Sequence, residues 1–416
     1  MNDSFKDKLL NLDLIVGCSF LFFYLLPSFT DNLNFVIKFA YIFFYAFYFL
    51  WRISSRKVLK VTFYYGLVIL FLSFYYYFFT QTKTIGRDVE FYGLKRFLSK
   101  PFQLCITFLP ILGTIFIFKK FNYSQKKFLL LLFVFLFLYI VIETLTELSV
   151  NNKATRANNY LENVDIASYG YVYFISILFI TMISLLGCFK KAKIILFITI
   201  ILTFLFLIYT QYTLSIIAPF VVILYMAVRK RKWIFLILAL LSILSIVLFP
   251  TIFNFILSQL YNNDIGVRIG EIVDFFSNNS LGYNLSARLN LYWKAIENFL
   301  RYPILGNSYV DFDGHATFLV VLSDLGLFGG IPFYWLYFSS FKRFKLIFST
   351  SEFKLFLYPF LTFVLIGFVN PIHGNQAIPF AVYFISPLMI NFVCNFQYKS
   401  FGAYQYLGRC GEETKN

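Results

Sequence analysis

The chain is 416 residues long, 60% hydrophobic and only 13% charged, with a mean hydropathy of +0.73. A soluble globule of that size carries about a quarter of its residues as charges, so an ordinary water-facing surface is excluded. The formal net charge of +16 does not indicate a nucleic-acid partner either, because the basic residues are distributed by membrane side and form no single patch.

A helix needs about 20 apolar residues to cross a hydrocarbon core of about 30 Å. Windows of that kind lie near 9–27, 33–51, 61–80, 102–118, 128–146, 168–188, 193–210, 213–228, 233–254, 315–338, 354–370 and 377–395. The expectation is an all-α, polytopic membrane protein of about 12 transmembrane helices, with residues 1–416 forming one membrane domain. The seventh and eighth windows are divided only by Tyr209-Thr-Gln-Tyr-Thr213. No cleavable signal peptide is expected, because Met1 to Lys8 leads into an apolar run without a small-residue cleavage site.

Alternate loops carry the positive charge: Arg52, Arg56, Lys57 and Lys60; Lys119, Lys120, Lys126 and Lys127; Lys190, Lys191 and Lys193; Arg229 to Lys232; and Lys342, Arg343, Lys345 and Lys354, opposed by Glu352 alone. Loops of the other set mix signs, as in Arg87-Asp88-Val-Glu90. Cytoplasmic loops hold the basic excess, so both termini are expected in the cytoplasm. Cys18, Cys105, Cys188, Cys394 and Cys410 show neither CxxC spacing nor a His/Cys cluster, and no structural disulfide or zinc site is expected.

With no separate soluble domain, function is expected in loops and at helix ends, above all in the external loop 255–314 between the ninth and tenth segments. Two stretches there have helical periodicity: Ile265, Ile269, Ile272, Val273 and Phe276, then Leu289, Trp293, Ile296 and Phe299 or Leu300. Each is expected to lie on the membrane surface or cap the bundle. Arg268, Glu271 and Asp274, and Arg288, Lys294, Glu297 and Arg301, would then face water or ligand. Pro303 and Gly306 end the second stretch.

Ala287-Arg288-Leu, Trp293 and Pro303-Ile-Leu-Gly306, followed by His315 opening a helix and by Gly326-Leu-Phe-Gly329, resemble the O-antigen and capsular repeat-unit polymerases (Wzy type) and the related O-antigen ligases. The motifs cover about 50 residues, and the order of spans with a large late external loop extends the resemblance along the chain. It implies a GT-C-like membrane glycosyltransferase of the bacterial inner (plasma) membrane, active on the periplasmic or external side. A glycan would pass from undecaprenyl diphosphate to a sugar hydroxyl of a lipid-linked acceptor during O-antigen (lipopolysaccharide) or capsule synthesis. Implied partners are undecaprenyl-diphosphate-linked oligosaccharides, membrane lipids, and a chain-length regulator and flippase of the same pathway. No cofactor, metal or nucleic acid is implied. One departure is Thr210-Gln211-Tyr212-Thr213, where many relatives carry a Ser-Arg pair. The missing cation would have to come from Arg268, Arg288 or Arg301, or from Lys83, Arg87, Lys95, Arg96 or Arg156, which are expected in other outer loops.

Diphosphate departure builds negative charge, which a permanently charged planar guanidinium can hold. Arg288 is the first candidate and Arg268 the second, with Arg301 and Asp324 as further substrate-binding candidates. The acceptor hydroxyl needs a base near neutral pH, and His315, with an ordinary imidazole pKa of about 6.5, suits that catalytic role. Plainer roles stay open. His315 could cap a helix, Arg288 anchor to lipid phosphates, Arg268 pair with Glu271, and His373 serve a loop. Asp311-Phe-Asp313 imitates a metal-binding DxD, yet nucleotide sugars are cytoplasmic. Asp324 is expected within the tenth helix, about 13 Å beyond His315 by helical rise, where a carboxylate is costly enough to suggest a role. Gly326, Gly329 and Gly330 are expected to permit close helix contact. Alternatives in other classes are a ligase-type transferase, a lipid-linked oligosaccharide flippase or other transporter, and an inactive assembly partner.

Overall fold

The computed structural model describes residues 3–26, 35–80, 89–150, 168–186, 188, 193–210, 213–230, 283–307, 316–370, 372 and 376–400. Among the described residues the regular structure is helical throughout. The helices are α1 (Asp3–Leu25), α2 (Phe35–Ile53), α3 (Arg56–Thr80), α4 (Val89–Lys120), α5 (Tyr123–Val150), α6 (Ser168–Leu185), α7 (Lys193–Thr210), α8 (Thr213–Lys230), α9 (Tyr283–Arg301), α10 (Thr317–Phe344) and α11 (Thr350–Val369). The last, α12, is continuous through Ala377–Phe380, a π-helical turn Ala381–Ile385, and Ser386–Ser400.

Seven described helices are long and apolar enough to cross a membrane, and four more are apolar but shorter. The protein is a polytopic membrane protein. Eleven of the expected segments fall on described helices; the remaining one, 233–254, lies outside the described residues.

Which helices are central follows from their sequences. Residues 171–182 of α6 are buried all round, as expected of a helix without a polar face. It packs with α11 and α12. By contrast α2, α3 and α7 turn Phe43, Phe47, Phe63, Ile194 and Ile195 outward, where lipid replaces water as the solvent. Phenylalanine gives the core its shape. Phe20 is fully buried and makes edge-on contacts with Tyr24, Tyr45, Phe49, Phe380 and Phe384, a geometry favoured by the ring quadrupoles.

The bundle has two unlike ends. At the end bearing the basic loops, Asp13 of α1 is fully buried, accepts from Tyr48 Oη at 2.7 Å and from Arg52 Nε at 2.7 Å, and forms a second ion-pair contact with Arg52 Nη2. Glu352 closes a capping box with Ser349 and accepts from Asn391 Nδ2 at 3.0 Å, and Asn391 Oδ1 accepts from Lys126 Nζ at 3.1 Å. These inward-lying charged and amide groups are paired, as burial requires.

Tyrosine hydroxyls and a folded-back helix hold the opposite end. Tyr24 donates to Ile106 O, Tyr171 to Leu25 O, Tyr292 to Val369 O and Tyr75 to Leu305 O. The helices α4 and α5, 32 and 28 residues long, exceed the bilayer core and project at this end.

Two expectations need correction. Lys95 and Arg96 lie within α4 and not in a loop, because Phe91, Leu94 and Leu98 continue an apolar helical face through Pro101. The segment 315–338 is not one straight helix. Gly326 has φ 57° and ψ −161°, and the chain reverses there. Tyr334 Oη donates to Phe318 O at 2.7 Å, and the Phe318 ring stacks on Tyr334 at 5.7 Å and meets Tyr337 edge-on at 5.6 Å. Residues 318 and 334 of a continuous helix would be about 24 Å apart. Thus 317–325 is a short re-entrant helix lying back against 327–344, and Gly367 of α11 provides the notch that receives the Phe318 ring.

Candidate functional site at the α9–α10 junction

The reversal at Gly326 is held by the chain that follows α9. Residues 303–307 lie in the kink and take the hydrogen bonds that a straight helix would have made within itself. Leu327 N donates to Pro303 O at 2.8 Å, Phe328 N to Ile304 O at 2.9 Å, and Asn307 N to Ser323 O at 3.0 Å. Breaking a helix inside a membrane exposes amides that need partners, and the Pro303-Ile-Leu-Gly306 segment supplies them.

The approach requires two glycines. Gly306 has φ +70°, and a Cβ there would collide with Asp324 O and Gly326 N. A Cβ at Gly326 would collide with Gly306 N and stand 2.5 Å from Ile304 O. Both positions also have the left-handed φ that glycine alone adopts at little cost. Asn298 closes the clasp. Its Nδ2 reaches Asn307 O at 3.1 Å, Ser323 O at 3.1 Å and Ser323 Oγ at 2.8 Å.

The amino end of the re-entrant helix is buried within the bundle. Ala316 is fully buried with φ 63°, and Thr317 Oγ1 accepts from Ile372 N at 2.9 Å and donates to Asn370 O at 3.4 Å. Asn370 is buried too, with its Nδ2 donated to Tyr173 Oη. Backbone of this kind occurs at membrane depth only where protein or a lined cavity surrounds it.

The sequence candidates separate as follows. His315, Arg268, His373, Asp311, Asp313, Lys83, Arg87 and Arg156 lie outside the described residues, as do the stretch 265–276 and Gln211 and Tyr212. His315 directly precedes the buried Ala316 in the chain, and His373 directly follows Ile372. For Arg288, Lys95 and Arg96 the backbone is described and the side chain is not. Position 288 stands seven residues, about two helical turns, before Ala295, which is 2% exposed. It therefore shares the register of the bundle-facing side of α9. Arg301 points elsewhere: its side chain is 69% exposed and pairs with Glu297 at 2.6 Å.

Asp324 sits two residues before the reversal, with Oδ1 buried. It is on the re-entrant helix and not partway along a straight span. The nearest atoms to Gly329 and Gly330 belong to Leu325 and Leu322 of the same hairpin, so the close helix contact that these glycines permit is with the re-entrant segment.

Sequence reasoning missed Asn298, Ser323, Asn370 and the Tyr75 and Tyr292 hydroxyls. A polar residue on the buried face of an amphipathic helix, as Asn298 is, was the one signal available. Among the described residues no group of three His, Cys, Asp or Glu side chains could hold a metal. No protein-family model matches the chain, and a search among curated proteins finds no match.

Proposed function

We propose that the chain is a membrane glycosyltransferase of the repeat-unit polymerase kind. In this reading both termini are cytoplasmic in a bacterial inner membrane, and the α9–α10 junction faces outward. The enzyme moves a glycan from undecaprenyl diphosphate to a hydroxyl of a lipid-linked acceptor. One observation carries the reading: Pro303–Gly306 and Gly326, separate pieces of the motif that resembles those enzymes, interlock through backbone hydrogen bonds and mutual glycine contact. The interlock holds α9, the helix that includes position 288, beside the hairpin that follows His315 in the chain.

In the proposed reaction the acceptor hydroxyl gives its proton to the His315 imidazole as its oxygen attacks the anomeric carbon. The bond to the diphosphate oxygen breaks, and Arg288 holds the charge on the departing diphosphate. The leaving group drives transfer, so no nucleotide is needed outside the cell.

The test incubates purified protein with synthetic lipid-diphosphate repeat units and follows glycan length on gels. Wild type is expected to give a ladder. His315→Ala and Arg288→Ala should each lower the rate by about 10²–10⁴-fold. A ladder unchanged in both variants removes these residues from the chemistry. Absence of elongation by wild type sinks the polymerase reading.

A second reading, a lipid-linked glycan flippase, is favoured by the broken helix at Gly326, because discontinuous helices are a transporter device. Translocation of intact units without elongation would select it.

A further inference from the structure

The exposed surface of α9 divides into sectors that match three different surroundings. Ala295 and Asn298 face the bundle and are buried. About a third of a turn around, Trp293 is 67% exposed and Leu300 70%, with Leu289 and Ile296 beside them. Another third of a turn on, Asn290, Lys294, Glu297 and Arg301 are all exposed, and the last two pair with each other. A helix capping the bundle would bury its apolar sector against protein, whereas a helix surrounded by water would have no use for four large apolar residues in one row.

What covers the row is indicated by where it leads. Past the end of α9, Ile304 and Leu305 stay exposed, and Ile304 O accepts from Phe328 N. Phe328 begins the outward row Leu327, Phe328, Ile331, Trp335 and Phe338 on 327–344, a helix of membrane-crossing composition. The α9 row and the lipid-facing row of α10 are thus one continuous apolar surface. We infer that Trp293, Ile296, Leu300 and Ile304 are seated in the acyl region of one bilayer leaflet, so that α9 is an in-plane rim helix where protein, lipid and water meet. Lys294, Glu297 and Arg301 then stand at headgroup level. The occupant is bilayer lipid and not a second copy of the chain, because the row merges with a surface that lipid already covers.

Trp293 is one of four tryptophans, and replacing Trp51, Trp233 and Trp335 by Phe leaves it as the sole tryptophan, excited at the red edge where tyrosine does not absorb. In liposomes of brominated phosphatidylcholine its fluorescence should fall at least about twofold, most strongly with bromine on the upper acyl carbons, since interfacial helices sit about 5–10 Å into that boundary. Aqueous iodide should quench it weakly. Strong iodide quenching with none by bromolipid overturns the inference. A companion measurement uses the otherwise native chain with benzoylphenylalanine at position 300 or 294. Photolysis should give lipid adducts at 300 and far fewer at 294. Adducts to a second protein chain at 300, or equal lipid labelling at both positions, would also overturn it. Neither measurement depends on transferase activity.

Discussion

Gly306 and Gly326 each occupy the space that the other's side chain would need, so neither position tolerates a methyl group. A left-handed φ costs an L-residue about 1–2 kcal/mol, and here the colliding atoms are backbone, which no rotamer change can move. Gly306→Ala and Gly326→Ala are each expected to abolish or sharply lower the yield of monodisperse protein in fluorescence-detected size-exclusion chromatography after heating. Gly66→Ala is the control. Nothing lies within 4 Å of its missing Cβ, so the change should be neutral, or stabilising by up to about 1 kcal/mol through helix propensity. Asn298→Ala strips partners from Asn307 O, Ser323 O and Ser323 Oγ. It should cost about 1–3 kcal/mol, read as a lower thermal midpoint. Arg301→Ala removes only an exposed i,i+4 pair, and a change above about 0.5 kcal/mol would contradict that placement.

At the scale of elements the re-entrant hairpin makes the boldest geometric claim. Cysteines introduced at 318 and 334 in a chain without its native cysteines should be bridged by a short bifunctional thiol reagent, seen as a single loop-closed species by mass spectrometry after proteolysis. A straight helix would keep them about 24 Å apart and unbridged. Hydropathy could not reveal this fold-back, because Phe318 to Leu322 is apolar whether it continues a span or lies against one. Most helices were legible for the complementary reason: lipid and core both demand apolar side chains, and basic turns such as Arg52–Arg56 and Lys342–Lys345 interrupt them. The amphipathic run of α9 was legible too, including its end at Pro303. Its threefold division was not, since periodicity separates apolar from polar residues but does not tell protein from lipid. Arg288 and Lys294 thus looked equivalent in sequence, and only the burial of Ala295 distinguishes their registers.

For the whole molecule, the two ends are stabilised by different physics. The basic end relies on ion pairs and amides reaching between helices, the other on tyrosine hydroxyls and a backbone clasp. Asp13→Ala should therefore destabilise on the order of 3 kcal/mol, because Arg52 is left without its carboxylate in a largely buried setting. Combining it with Arg52→Ala should cost less than the sum of the single changes. A thermal-midpoint cycle that comes out additive would mean the pair is not coupled.

The π-helical turn at Ala381–Ile385 extends this connection between distant parts. It frees Tyr383 O to accept from Thr114 Oγ1 at 2.5 Å, and it inserts one residue into α12. Below it, Ser386 Oγ meets Thr181 Oγ1 and Asn391 reaches Glu352. Because the wider turn fits five residues into about the rotation and rise of four α-helical ones, deleting one residue of it would restore an ordinary helix that still presents Ser386 and Asn391 to their partners, while removing the carbonyl offered to Thr114. The surplus residue is thus absorbed where it stands: one fewer would keep the far half of the rod in phase with its neighbours, whereas one added to the ordinary helix beyond it would turn Asn391 about 100° away from Glu352.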